Sequence, residues 1–205
     1  MQNCHRQIGS NENITGVVLA GGRARRMGGE DKGLLQYRER PLVAYALDAL
    51  RLTAGTILIN ANRNQQEYAR FGYPVIADLT NSFDGPLAGL LSAMQAAQTE
   101  YALTVPCDCP QVDGALLGRL YLRLLDEQSD LCTAHDGERI HPVFLIAKCS
   151  LAGDLADYLA SGQRKMETWL RSHKLALADY SDHPELFVNI NTREELQHFQ
   201  HQRIT

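Results

Sequence analysis

The residue types best suited to chemistry gather in one stretch, LAGGRARRMGGEDKG, Leu19 to Gly33. Gly21, Gly22, Gly28 and Gly29 would let backbone N–H groups approach phosphate oxygens closely, where a side chain would hold them off. Arg23, Arg25, Arg26 and Lys32 outnumber Glu30 and Asp31 by two, so the stretch is cationic within a chain of net charge -4. A local field opposed to the global one suits an anion site. The plainer alternative is a glycine-rich turn with solvated arginines. The apolar run ITGVVLA just ahead, the charge inversion and Lys32 favour a phosphate cradle. Neither a Walker GK pair nor a G-x-G-x-x-G run follows that segment, which disfavours a P-loop kinase and a dinucleotide-binding dehydrogenase.

A second set of polar residues closes apolar runs. Asn60 ends TILIN, Asp78 follows YPVIA, and Asp108 sits in PCDCP just past YALTV. A carboxylate such as Asp108 suits a hard divalent cation, with Mg²⁺ keeping several waters and phosphates supplying further oxygens. By residue type alone a turn cap beside Pro110 is the stronger reading. Asn60 and Asp78 are strand-end caps or ligand contacts on the same reasoning. Cys107 and Cys109 lack the paired spacing of a zinc site and read as small buried thiols. His135 and His141 flank a turn and are assigned no metal. Trp169, at helical spacing with Met166 and Leu170, reads as core. Thr192 and Glu195 make a capping box for a last helix.

The elements that must position these groups follow from periodicity. Apolar runs at 14–20, 56–60, 73–77 and 101–105 are expected as strands buried on both faces. Helices are expected at 41–52, 64–71 and 86–98, with Pro41 and Pro86 in first turns. This alternation predicts an α/β fold with a mainly parallel sheet, right-handed crossovers and ligands beyond the carboxyl ends of the strands. After a helix at 113–125 the pattern changes. Residues 130–148 predict two strands joined around Asp136-Gly137, with helices at 151–161 and 165–173. This added β-hairpin region is expected to close over one end of the same sheet. With 205 residues, one domain over 14–205 behind a flexible tail of 1–13 is expected. The five cysteines are scattered, no apolar run approaches the roughly 20 residues of a membrane span, and the chain carries no general basic field. A soluble cytoplasmic protein that binds neither nucleic acid nor membrane is expected.

The pattern LAGG…RMGG.DK resembles the signature of the molybdenum cofactor guanylyltransferases, the molybdopterin-guanine dinucleotide biosynthesis protein A family. NANRN (60–64), VIAD (75–78), GPLAG (85–89), PCDCP (106–110) and FVNINTREEL (187–196) follow in that family's order, across nearly the whole chain after residue 13. The resemblance implies a three-layer, Rossmann-like nucleotidyltransferase fold and transfer of GMP from GTP to the terminal phosphate of molybdopterin, with Mg²⁺ as cofactor. It implies GTP contacts at Leu19, Ala20, Gly21, Gly22, Lys32, Asn60, Asp78, Gly85 and Asp108, with Asp108 on the metal. Lys32, Arg26 and Asp108 are the implied catalytic groups, and Asn189 and Asn191 face the pterin substrate. Arg23 and Arg25 are candidates for the acceptor or pyrophosphate. Residues 14–110 would mainly serve GTP and metal, and 111–205 the pterin. Molybdoenzyme apoproteins or their chaperones, and an upstream cofactor-insertion protein, are the implied protein partners. A cytidylyltransferase acting on a pterin or sugar phosphate, and a non-catalytic nucleotide or cofactor carrier, stand as alternatives.

Overall fold

The computed structural model describes residues 11–21, 31–79 and 85–201. In chain order the first half runs β1 (Asn11–Leu19), β2 (Gln36–Tyr37), β3 (Arg40–Pro41), α1 (Leu42–Arg51), β4 (Ala54–Asn60), α2 (Gln65–Ala69), β5 (Val75–Ile76), α3 (Pro86–Ala96) and β6 (Tyr101–Pro106). The second half adds α4 (Gly114–Asp126), β7 (Leu131–His135), β8 (Ile140–Lys148), α5 (Ala152–Ala160), α6 (Met166–Arg171), β9 (Leu175–Asp179) and α7 (Arg193–His201). Seven strands form one sheet in the order β5-β4-β1-β6-β8-β7-β9. β5, β4, β1 and β6 are parallel neighbours, β8 is antiparallel to β6 and β7, and β9 lies parallel to β7. β2 and β3 make a separate two-stranded sheet.

Alternation along the strands divides the core into two layers, as period-2 side chains require. Tyr101, Leu103 and Val105 of β6 join Phe144 and Ile146 of β8 under α1 and α4. Ala102 of β6 joins Leu145 and Ala147 of β8 under α3, α5 and α6. Strands covered on both faces have no polar face to show, so they read as apolar runs. The second layer includes Trp169, which is fully buried and donates its indole N–H to Asp154 at 2.8 Å. Its place is in the core, as its spacing predicts. Among the described residues no helix is long and apolar enough to cross a membrane.

The hairpin of β7 and β8 departs from expectation in its placement. It extends the sheet edge-on beyond β6 through the β6–β8 pairing and does not lie over an end. β1 starts at Asn11, three residues ahead of the expected start. β5 is shorter than expected, with two residues paired to Ile59 and Asn60. Pro41 caps α1 from an extended conformation and is not inside its first turn, whereas Pro86 opens α3 as expected. Periodicity gives no warning of β9 because its pattern is inverted: Ala176 and Ala178 face inward while Leu177 is 40 % exposed.

The carboxyl ends of three strands stand level. Leu19 is in register with Asn60 of β4 on one side and Pro106 of β6 on the other. Residues that follow these strands therefore emerge along one edge, together with Asp78 two residues beyond β5.

Candidate active site

Asp108 leaves β6 at that edge and is 8 % exposed. Its two carboxylate oxygens have different partners. Oδ2 accepts from Lys32 Nζ at 3.2 Å, and Oδ1 accepts from Asn189 Nδ2 at 3.1 Å. Lys32 Nζ also donates to Asn191 Oδ1 at 2.7 Å. Four residues singled out in the sequence, Lys32, Asp108, Asn189 and Asn191, thus make one hydrogen-bonded group. Turn cap and metal ligand are both open to Asp108 by residue type. Its bonds to a distant lysine and asparagine make it the centre of a polar cluster.

Local structure explains how the distant partners arrive. Ile190 is fully buried and donates its N–H to the Asp108 carbonyl at 2.9 Å, which pins the 189–191 segment beside the end of β6. The capping box is formed: Glu195 N–H donates to Thr192 Oγ1 at 3.0 Å, and the Glu195 carboxylate accepts from Thr192 N–H at 3.3 Å. The same carboxylate takes the Asn191 N–H at 2.6 Å, so the cap of α7 also fixes the backbone of Asn191. Cys109 is buried and its thiol donates to Asn189 Oδ1 at 3.3 Å, leaving the amide nitrogen for Asp108. Burial, with the nearby Asp108 charge, pushes the Cys109 thiol up, so it stays a protonated donor. Cys107 is likewise buried and raised, chiefly by desolvation. The C-D-C run thus brackets a carboxylate with two inert thiols.

A second group lies at the ends of β4 and β5. Asp78 Oδ1 accepts from Asn60 Nδ2 at 2.9 Å and Oδ2 from Asn62 Nδ2 at 2.7 Å. Asn62 Oδ1 in turn accepts the Asp78 N–H at 2.8 Å. Ala20 N–H bonds the Asn60 carbonyl at 2.8 Å, and Asn62 Nδ2 reaches the Gly21 carbonyl at 3.4 Å. A Cβ at Gly21 would lie 3.0 Å from Asn62 Nδ2 and 3.2 Å from Asn60 Oδ1. A side chain at the first glycine of the stretch would thus have to push the Asn60 and Asn62 amides aside. The constraint is tighter at Gly89, where a Cβ would lie 2.5 Å from Asn60 Oδ1 and 2.9 Å from Leu19 Cδ2. Gly85, by contrast, serves conformation, since it precedes α3 at φ 75° with open space around it.

Each anticipated residue can now be located. Leu19, Ala20, Gly21, Asn60 and Asp78 meet at the β1–β4–β5 end, Lys32, Asp108, Asn189 and Asn191 at the β6 end, and Gly85 caps α3. Gly22, Arg23, Arg25, Arg26, Gly28 and Gly29 lie outside the described residues. The sequence reading missed Asn62, Asp31, Asn64 and Tyr68. The segment NANRN holds two of them, and three asparagines within five residues after a strand are a usable signal. Tyr68 had none, because a buried tyrosine in a short helix reads as core.

The MobA-like NTP transferase domain model matches residues 16–177. The chain belongs to that family. Relatives in this MobA-like family include the molybdenum cofactor guanylyltransferase of Shewanella sediminis, 47 % identical over 184 residues, which cover 90 % of this chain and 94 % of that one. The molybdenum cofactor guanylyltransferase of Shewanella loihica is 45 % identical over the same shares. Among solved structures, the molybdopterin-guanine dinucleotide biosynthesis protein A of Archaeoglobus fulgidus superposes with a TM-score of 0.73 at 20 % identity, covering 91 % of this chain and 96 % of that one. At that identity the superposition speaks for the fold, and it agrees with the three-layer nucleotidyltransferase architecture. The chain is therefore a nucleotidyltransferase with a MobA-like sheet.

Proposed function

We propose that this protein transfers GMP from GTP to the terminal phosphate of molybdopterin, releasing pyrophosphate and forming molybdopterin guanine dinucleotide. The observation that carries the reading is the Lys32–Asp108–Asn189–Asn191 group at the carboxyl edge of a MobA-like sheet. Family membership and the names of the relatives support the substrates.

In this reading the acceptor phosphate attacks the α-phosphorus of GTP in line. A phosphate monoester is largely ionised near neutral pH, since its second pKa is about 6. No general base is needed, and the barrier comes from bringing two anions together. Positioning and charge neutralisation then carry the catalysis. Lys32 is assigned to the triphosphate with Gly21, Gly22 and Arg26, and Arg23 and Arg25 to the acceptor or pyrophosphate. Asn60, Asp78 and Gly85 line the nucleoside end with Leu19 and Ala20. The Asp78 carboxylate, with one amide on each oxygen, keeps lone pairs free for ligand N–H or O–H donors. Asn189 and Asn191 are assigned to the pterin side. Residues 14–110 then serve mainly GTP and metal and 111–205 mainly the pterin, within one unit over 14–205.

Asp108 fits a hard divalent cation, and Mg²⁺ is the ion we assign. Among the described residues no group of three or more acidic, histidine or cysteine side chains forms a metal cage of its own. One or two carboxylates are enough for Mg²⁺ when phosphate oxygens and waters supply the rest, and Asp108 provides one. When bound, the ion would neutralise charge at the reacting phosphates. Lys32 Nζ bonds Asp108 Oδ2 and Asn191 Oδ1 together, so a cation on Asp108 would compete with the ammonium for Oδ2 while the Asn191 bond keeps the lysine in the site. Cytoplasmic location, and delivery to molybdoenzyme apoproteins or their chaperones, belong to the same reading.

The test is incubation with Mg²⁺, molybdopterin and each of the four labelled nucleoside triphosphates, followed by product identification. The guanine dinucleotide is expected from GTP alone. Unpaired polar groups in a mismatched base pocket cost several kcal/mol, which is a rate preference of about 10³. Efficient transfer from CTP would make the protein a cytidylyltransferase. Tight GTP binding with no product from any nucleotide would make it a carrier.

A further inference from the structure

Lys32 owes its position to residues that touch neither Asp108 nor the asparagines. Asp31, one residue before it, is 9 % exposed and caps the short 3-10 turn Lys32–Leu34 by accepting from Gly33 N–H at 3.3 Å. The same oxygen, Oδ1, accepts from the Tyr68 hydroxyl at 2.5 Å, and Oδ2 accepts from Asn64 Nδ2 at 3.1 Å. Three donors thus converge on one carboxylate, and two of them come from the segment that follows β4. We propose that Tyr68, Asn64 and Asp31 form a positioning clamp that sets the reach of Lys32 across the site.

Three features of the clamp go beyond what packing alone requires. A phenylalanine would fill the volume of Tyr68, which is fully buried, so the hydroxyl is there for Asp31. Burial, with the Asp31 charge, pushes the Tyr68 hydroxyl far up, so it is a permanent donor. Asn64 takes a left-handed conformation, φ 49°, at the start of α2, which a glycine would adopt as freely, so an asparagine there adds the amide that reaches Asp31. Gly33 is the matching piece, because a Cβ there would run into the Tyr68 hydroxyl and come within 3.3 Å of Cys107 Cβ. The 3-10 turn therefore lies directly on the clamp, with Lys32 as its first residue and the ammonium directed at Asp108 and Asn191. Asn62, two residues before Asn64, holds Gly21 and Asp78. One short segment thereby bonds both the nucleoside end and the turn that carries the lysine.

The inference rests on Lys32 as the triphosphate ligand. Tyr68→Phe and Asn64→Gly each remove one donor while keeping, respectively, the packed ring and the left-handed backbone. Each is made in the native chain and in Lys32→Met, and kcat/KM, calorimetric GTP affinity and thermal melting are measured. In the native chain each should lower both kcat/KM and GTP affinity about tenfold, the effect of losing a hydrogen bond to a charged group. Melting should shift by only a few degrees. In the Lys32→Met chain the same changes should cost under about twofold in GTP affinity, because positioning residues lose their effect when the group they position is gone. Equal losses in both backgrounds, or losses that follow the folded fraction, would overturn the clamp alone. A Lys32→Met chain that binds and turns over GTP like the native one would remove the lysine reading and the clamp with it.

Discussion

Asp108→Asn separates the site's two tasks. The substitution keeps shape and one oxygen, so its cost can be traced through the partners. With its oxygen toward Asn189 Nδ2, the new amide nitrogen faces Lys32 Nζ, donor against donor; turned over, it faces the Asn189 amide with the same conflict. Stability should fall by about 1–2 kcal/mol, the scale of one lost charge-assisted hydrogen bond. The lysine keeps Asn191 at 2.7 Å and is a quarter exposed, so its charge is not stranded. Turnover should fall much further, by about 10²–10³, because a group that stabilises charge at the reacting phosphorus acts in the transition state. GTP affinity should change less than about tenfold, since the Asn60–Asp78 end is untouched. The assay is product formation from labelled GTP and molybdopterin across a Mg²⁺ titration, with GTP binding measured alongside. High Mg²⁺ should restore part of the rate by mass action. Turnover near the native level at low Mg²⁺ would refute the reasoning and return Asp108 to a turn-capping role.

Three further outcomes are expected. Lys32→Ala should fold normally, since the side chain packs no core, while kcat/KM for GTP falls by about 10²; unchanged kinetics would remove Lys32 from the phosphate site. Gly89→Ala forces a Cβ to 2.5 Å from Asn60 Oδ1, so melting should show a loss of about 1–3 kcal/mol together with weaker GTP binding, and a variant with native GTP affinity would show that Asn60 is not a nucleotide contact. Acid should destabilise the fold. Asp130, Asp136, Asp179, Asp182 and Glu185 all have lowered pKa values, with Lys148, the Arg139 and Ser181 backbone, Arg119 and His183 as the leading causes. A carboxylate held below its unfolded pKa contributes stability above about pH 4 and loses it as pH falls through the folded value. Melting temperature should be flat from neutral pH to about pH 5 and drop below about pH 4, and a plateau extending to pH 3 would contradict the assignment.

The sequence was most informative where one physical rule acts alone. Strands covered on both faces appear as apolar runs, and β1, β4 and β6 lie where ITGVVLA, TILIN and YALTV put them. Thr192 and Glu195 announce their own cap because its partners are three residues apart. Lys32, Asp108, Asn189 and Asn191 were legible as individual candidates through the family pattern, and their joining needed the fold. The clamp was illegible, since Asp31 and Tyr68 are 37 positions apart and a hydroxyl in a buried ring leaves no periodic trace. β9 escaped for a different reason: its inward residues are alanines and its leucine at 177 faces out, so hydrophobicity pointed the wrong way. The β2–β3 turn was equally hidden, because Arg38 and Glu39 both take positive φ where glycine or asparagine is the usual sign.

The hydrogen bond between Lys32 and Asn191 joins residues 159 positions apart. On the ribosome, therefore, no shorter nascent chain contains the finished site. A chain that has just emerged through β6 already carries Lys32 and Asp108, but its carboxylate lacks Asn189 and its lysine lacks Asn191. At about 5–20 residues per second the interval before those partners are made is on the order of ten seconds. Completion of the cluster is thus deferred until residue 191 has been made, and a chain that stops between residues 180 and 188 carries every strand of the sheet but not the active-site cluster. The last part of the site to be made is thus the 189–191 segment, and the cap that begins α7 is what holds its backbone in place.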